Sequence, residues 1–173
     1  MFLLGVVFFT LFSCNSSDSV TLKKGDAVPR FELPDENNNL VNIDTYIGNQ
    51  NLVIFFYPKD DTPGCTKEAC KFRDEFEDFS AFNATVIGIS SDSPDSHTEF
   101  KNKYNLPYTL LSDENNTVRN LFGIKGSYLG LIPGRVTYII DKNGIIQHVF
   151  NSMGKAEKHV TEAKKVLKKL NAK

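Results

Sequence analysis

A near-continuous apolar run, Asn51-Leu52-Val53-Ile54-Phe55-Phe56-Tyr57, stops at Pro58. It is short, β-branched and aromatic, and it lacks the polar alternation of a strand with one wet face, so it predicts a central strand buried on both sides. A loop shaped by Pro63 and Gly64 follows, and then Cys65, Ala69, Phe72, Phe76 and Phe79 recur at helical spacing as one apolar face. Thr85–Ser90 and Val136–Ile140 predict two more buried strands. Asp141-Lys142-Asn143-Gly144 makes a turn with glycine where positive φ is cheap, and Ile145 to Phe150 returns as a hairpin partner. A second hairpin is predicted between Phe31–Leu33 and Leu40–Asn42, turning through Asn37-Asn38-Asn39. Helices are predicted from Ser93-Pro94 to Tyr104, with Pro at the first helical position, over Asn116–Phe122, and from Lys155 to Leu170 with Val160, Ala163, Leu167 and Leu170 inward. Strands alternating with helices define an α/β chain whose mixed central sheet is flanked by helices.

The 173 residues fit one ordinary domain with a short tail. Lys and Arg total 20 against 21 Asp and Glu, a net charge of −1, so there is no basic excess to bind phosphates and no nucleic-acid partner is expected. The lysines of the last helix are a solvated face. Residues 1–14 carry no charged side chain, and the apolar run Met1 to Phe12 falls short of the about 20 residues that span a bilayer. Its length is that of a signal-peptide core. The chain therefore divides into a leader over 1–19 and a folded domain over 20–173. Leu11-Phe12-Ser13-Cys14 resembles a bacterial lipobox, which would make Cys14 a lipid anchor and place the protein in the periplasm or on a membrane. A cleaved secretory signal, an organelle leader and a first core strand stay open, so an organelle or the cytoplasm is the alternative.

The chain has three cysteines, too few for a disulfide-stapled scaffold or a standalone four-cysteine zinc site. Cys14 belongs to the leader. Cys65 stands where a loop becomes a helix, and unpaired backbone N–H groups with the positive end of the helix dipole favour a thiolate there. Thr62 can bring a hydroxyl to the same pocket. Cys70 lies five residues on, about 140° around a helix and about 7.5 Å along it. A disulfide needs Cα atoms within about 7 Å, so the two thiols cannot bond while the helix is intact. Pairing requires its first turns to unwind. A zinc pair would need two more ligands, and His97, His148 and His159 have no motif linking them to this loop. Arg135, after Pro133-Gly134, reads from the residues alone as a surface charge at a strand edge. Glu68 orders the helix, pairs with Arg135 or is solvated; the sequence leaves all three open.

Pro58-x-x-x-Thr62-x-x-Cys65 resembles the peroxiredoxin active-site signature. Gly64-Cys65-Thr66-Lys67-Glu68-Ala69-Cys70 carries the second cysteine of the peroxiredoxin Q group, also called bacterioferritin comigratory protein. The similarity continues through Val86–Ser90, Leu106–Asp113, Pro133-Gly134-Arg135-x-Thr137-Tyr138 and Asp141–Gly144, covering about Leu22 to Leu170. It implies a thioredoxin-like fold and thiol-dependent reduction of hydrogen peroxide and organic hydroperoxides. It also implies roles. Cys65 is the peroxidatic cysteine, Thr62 the hydroxyl that hydrogen-bonds the peroxide, and Pro58 the shield of the pocket. Arg135 is the guanidinium that lowers the thiol pKa and holds substrate, and Cys70 is the resolving cysteine. Thioredoxin or a related dithiol would be the reductant, and the subgroup suggests a monomer. No metal, haem or flavin cofactor is implied. A protein disulfide oxidoreductase would carry Cys-x-x-Cys, and a copper-delivery protein of the related fold would have a differently spaced pair plus a placed histidine; neither pattern is present.

Overall fold

The computed structural model describes residues 21–127 and 130–172, so the leader and Cys14 lie outside the described residues. A small hairpin, β1 (Glu32–Pro34) and β2 (Leu40–Asn42), turns through the expected asparagines with Leu33 opposite Val41. The five-stranded sheet contains β3 (Asn51–Phe56), β4 (Ala84–Ser90), β5 (Thr109–Ser112), β6 (Val136–Ile140) and β7 (Ile146–Asn151), in the order β5-β4-β3-β6-β7. β3, β4 and β5 run parallel, and β6 and β7 are antiparallel to their neighbours. The sheet is therefore mixed, and β3 lies at its centre with every residue buried. The helices are α1 (Pro63–Asp74), α2 (Phe76–Ala81), α3 (Pro94–Tyr104), α4 (Thr117–Leu121) and α5 (Ala156–Leu170).

Side-chain alternation along β3 builds two cores. Val53, Phe55 and Tyr57 join Cys65, Ala69 and Phe72 of α1, Phe100 of α3 and Val160, Ala163 and Leu167 of α5. Leu52, Ile54 and Phe56 face the other way, onto Phe31, Leu33, Val118, Phe122 and Tyr138. With helices on the sheet and β3 at its centre, this is the expected thioredoxin-like arrangement.

Two details differ from the sequence expectation. The helix expected from Cys65 to Phe79 begins at Pro63, with Thr62 as its N-cap, and breaks at Glu75, whose φ of −110° and ψ of 15° leave the helical region. The apolar spacing continues through the break because both pieces pack on the same sheet face. β5 was not expected as a strand. It is a four-residue edge whose Leu110 and Leu111 are fully buried, one on each face, so it shows no alternation.

Gly88 in β4 faces Phe55 across the register, and a Cβ there would lie 2.7 Å from both the Phe55 ring and a Leu110 methyl. Both neighbours are fixed in a close-packed layer. Gly88→Ala is expected to lower the unfolding free energy by about 1–3 kcal/mol, read as a lower midpoint in urea; an unchanged midpoint would mean that the layer has slack.

Candidate active site

Cys65 is the third residue of α1 and is 2% exposed. Thr62 takes an extended conformation at the N-cap, Pro63 has no N–H to leave unpaired, and the first intrahelical bond runs from Thr66 N–H to the Thr62 carbonyl at 2.8 Å. The N–H groups of Gly64 and Cys65 precede that bond and carry the positive end of the helix dipole to the sulfur.

The loop leading to this turn is held by a buried polar cluster. The Tyr57 hydroxyl donates to Asp60 Oδ1 at 2.7 Å. Asp60 Oδ2 accepts from Ser96 Oγ at 2.8 Å and lies 2.8 Å from His97 Nδ1. The Asp60 N–H donates to Asp92 Oδ2 at 2.9 Å. Burial and the adjacent Asp60 carboxylate hold the Tyr57 hydroxyl well above the usual phenol range, so it is a fixed donor. These bonds anchor the loop where it leaves β3.

β6 places Arg135 under the helix start. Its guanidinium is 3% exposed, and Nη2 donates to Cys65 Sγ at 3.2 Å. Nη1 donates to Glu68 Oε2, one turn along α1 from the cysteine. Gly64 makes this approach possible, since a Cβ there would sit 3.2 Å from Nη2. Glu68 is fully buried, and burial pushes its carboxyl up to about 7 despite the opposing Arg135 charge. Behind it, on α5, His159 is also fully buried, with Nδ1 3.5 Å from Glu68 Oε1 and 2.8 Å from Thr137 Oγ1. Burial holds the His159 ring down to about 4, so it is neutral at physiological pH.

A second arginine supports the first from behind. Arg119 of α4 donates from Nη1 to the Gly134 carbonyl at 2.7 Å and from Nη2 to the Tyr57 carbonyl at 2.9 Å. It ties the residue before Arg135 to the residue before Pro58. Burial lowers its pKa to about 10, which leaves it charged.

The structure brings Cys65 and Arg135 together and, of the three options for Glu68, places its carboxyl against Arg135. Pro58 is half-buried between β3 and the loop. The Thr62 hydroxyl donates to the Lys59 carbonyl at 3.1 Å and makes no capping bond. Cys70 is a free thiol, half-buried on α1, and has not been brought to Cys65. Arg119 and His159 were missed. Arg119 gave no signal, because an arginine on a short helix reads as solvated. His159 did give one, since it lies three residues after the buried Ala156 and four before Ala163, on the inward face of α5.

A thiol at a helix start, held by a buried guanidinium on this sheet, defines a class of thiol-redox protein. The AhpC/TSA family model matches residues 24–149, and the chain belongs to that family. Peroxiredoxin Q, chloroplastic, of Oryza sativa subsp. japonica is 48% identical over 149 residues, covering 86% of this chain and 68% of its own length. Its Arabidopsis thaliana counterpart is 50% identical over 147 residues, covering 85% and 68%. Among solved structures, Peroxidoxin BcpB from Mycobacterium tuberculosis superposes with a TM-score of 0.80 at 36% identity, covering 86% of this chain and 98% of that one. Bacterioferritin comigratory protein from Xanthomonas campestris, described with alkyl peroxide reduction activity, gives 0.75 at 28% identity, covering 86% and 100%. Among the described residues no helix is long and apolar enough to cross a membrane.

Proposed function

We propose that the chain is a two-cysteine thiol peroxidase in which the Cys65 thiolate attacks a hydroperoxide. The observation that carries this is the Arg135 Nη2 donor 3.2 Å from a sulfur on the first turn of α1. Thiolate attack forms an S–O bond and breaks the O–O bond; the leaving oxygen takes a proton and departs as water or alcohol, and Cys65 becomes a sulfenic acid. Arg135 and the helix N–H groups are charged or polarised before the reaction, so they stabilise both the thiolate and the charge developing on the peroxide. Thr62 is the hydroxyl that turns from the Lys59 carbonyl toward bound peroxide, and Pro58 walls the entrance. Cys70 then attacks the sulfenic sulfur, expelling water and forming a Cys65–Cys70 disulfide.

The helix must open for that step, because Cys70 is about 7.5 Å further along the axis. Opening breaks the Thr66-to-Thr62 bond and withdraws Cys65 from Arg135. A thioredoxin or related dithiol then reduces the disulfide by exchange. Hydrogen peroxide and cumene hydroperoxide should both be consumed when thioredoxin and its reductase are supplied; no dithiol-dependent consumption of either overturns this function. With Cys70→Ser, about one equivalent of peroxide should be used per chain and turnover should stop, leaving a trappable sulfenic acid. A Cys65–Cys14 disulfide in that variant would move the resolving role to Cys14.

The subgroup supports a monomer. For location, the chloroplastic names of the plant relatives support the organelle alternative for the leader. The mass of the mature N-terminus separates a cleaved targeting leader from a lipid anchor at Cys14.

A further inference from the structure

Arg135 is shared. One guanidinium nitrogen donates to Cys65 Sγ and another to Glu68 Oε2, and all three groups are buried. If Cys65 and Glu68 were both ionised, Arg135 would have to neutralise two anions at low dielectric, the only further positive charge being Arg119, which bonds neither acid and is set against the Asp113 carboxylate; that state is disfavoured. One of the two acids must keep its proton.

The surroundings of Glu68 indicate where the proton is kept. Oε2 is taken by Arg135, while Oε1 is buried with no hydrogen-bond partner. The atom it faces is His159 Nδ1, at 3.5 Å. His159 Nε2 lies 2.9 Å from the Ser152 carbonyl, which can only accept, so the ring hydrogen is on Nε2 and Nδ1 offers a lone pair. A carboxylate oxygen facing that lone pair is repelled, whereas a carboxyl O–H facing it is attracted. Thr137 Oγ1 on β6 donates to the same nitrogen at 2.8 Å, so Glu68, at 3.5 Å, meets its negative charge without a hydrogen bond; Tyr108, whose hydroxyl donates to the Ala69 carbonyl, is a neutral phenol nearby. Arg135, His159, Cys65 and Tyr108 are thus the titratable groups around Glu68, and only Arg135 is positive.

We propose that Glu68 and His159 form a proton-holding pair that sets the ionisation of Cys65 through Arg135. Glu68 takes up a proton as Cys65 loses one, and the His159 lone pair stabilises the acid form. In this exchange the S–H bond breaks with its electron pair left on sulfur, one O–H bond forms on Glu68, and the charge of the buried site is unchanged. When Cys65 becomes neutral by oxidation or alkylation, Arg135 returns to Glu68 and the proton is released. Glu68 and His159 are positioning residues, since neither touches the sulfur. The inference rests on the peroxidase reading, but its test does not need peroxidase activity.

The test is the pH dependence of Cys65 alkylation by iodoacetamide in a Cys70→Ser background. Glu68→Gln frees Arg135 from a competing acid, and the midpoint for Cys65 should fall by about one pH unit. His159→Leu withdraws the lone pair, returns charge to Glu68, and should raise the midpoint. In Glu68→Gln the further change at His159 should have no effect, because the group through which it acts is gone. A midpoint unchanged or raised in Glu68→Gln, or a His159 effect of equal size in both backgrounds, overturns the proposal. If His159→Leu fails to fold, the intact chain decides the matter through the ring nitrogen shifts of His159. They should show a neutral ring protonated at Nε2 across the neutral range, responding to alkylation of Cys65. A charged ring, a proton on Nδ1 or no response overturns the proposal.

Discussion

Replacing Cys65 with serine should reduce dithiol-driven peroxide consumption by at least about 10³-fold, to the uncatalysed background. The surroundings of Cys65 are built to hold an anion: two N–H groups before the first bond of α1 and a buried guanidinium at 3.2 Å. They can stabilise a thiolate but cannot ionise a serine hydroxyl, and oxygen has no counterpart of the sulfenic acid that carries the oxidising equivalent to Cys70. Serine is slightly smaller and can accept from Arg135, so the fold should persist. Peroxide consumption in coupled assays, with far-ultraviolet circular dichroism as the control, reads the outcome. Turnover within tenfold of the parent would assign the chemistry to another residue.

Replacing Arg135 with methionine should be nearly as damaging, through two separable effects. Loss of the Nη2 donor removes one preorganised charge from the thiolate and the transition state, and a loss of about 10²–10³ in rate follows. The second effect is on stability. Glu68 loses its buried counter-charge, and breaking a pair of this kind costs about 3–5 kcal/mol. The sign with pH is fixed by the raised carboxyl. Its folded-state value of about 7, with Arg135 still present, already exceeds the ordinary glutamate value near 4.3. Stability from the neutral acid is complete below the unfolded value and is lost as pH rises through the folded one. Without Arg135 the folded value rises further, so parent and variant share the neutral acid below about pH 7; the deficit should be small near about pH 5 and largest near about pH 9, where only the parent can ionise Glu68. Adding Glu68→Gln should remove the pH dependence of the deficit and restore stability at the higher pH without restoring rate. Urea unfolding at both pH values checks this, and a deficit independent of pH would mean that Glu68 is not the group left unpaired.

Local elements were readable because they depend on local order. The run from Asn51 to Tyr57 has the composition of a buried strand, Pro94 marks a helix start, and Gly144, at φ 78°, sits in the turn its sequence predicts. The stretch around Thr109–Ser112 was not readable, because a short strand buried on both faces has no period to detect. Arg135 shows the limit most clearly. Its sequence neighbours suit a surface strand edge, and only the antiparallel pairing of β3 with β6 carries it beneath α1.

The sequence by itself determined the α/β class, the position of Cys65 at a helix start and the inability of an intact helix to join Cys65 to Cys70. Each follows from residues close together in the chain, through backbone geometry alone. The tertiary structure decided the electrostatics. Cys65 and Glu68 come from α1, Arg135 from the residue just before β6 and His159 from α5, and they meet only in the packed core. How strongly they act on one another depends on burial, and burial is a property of the assembled layers rather than of any segment.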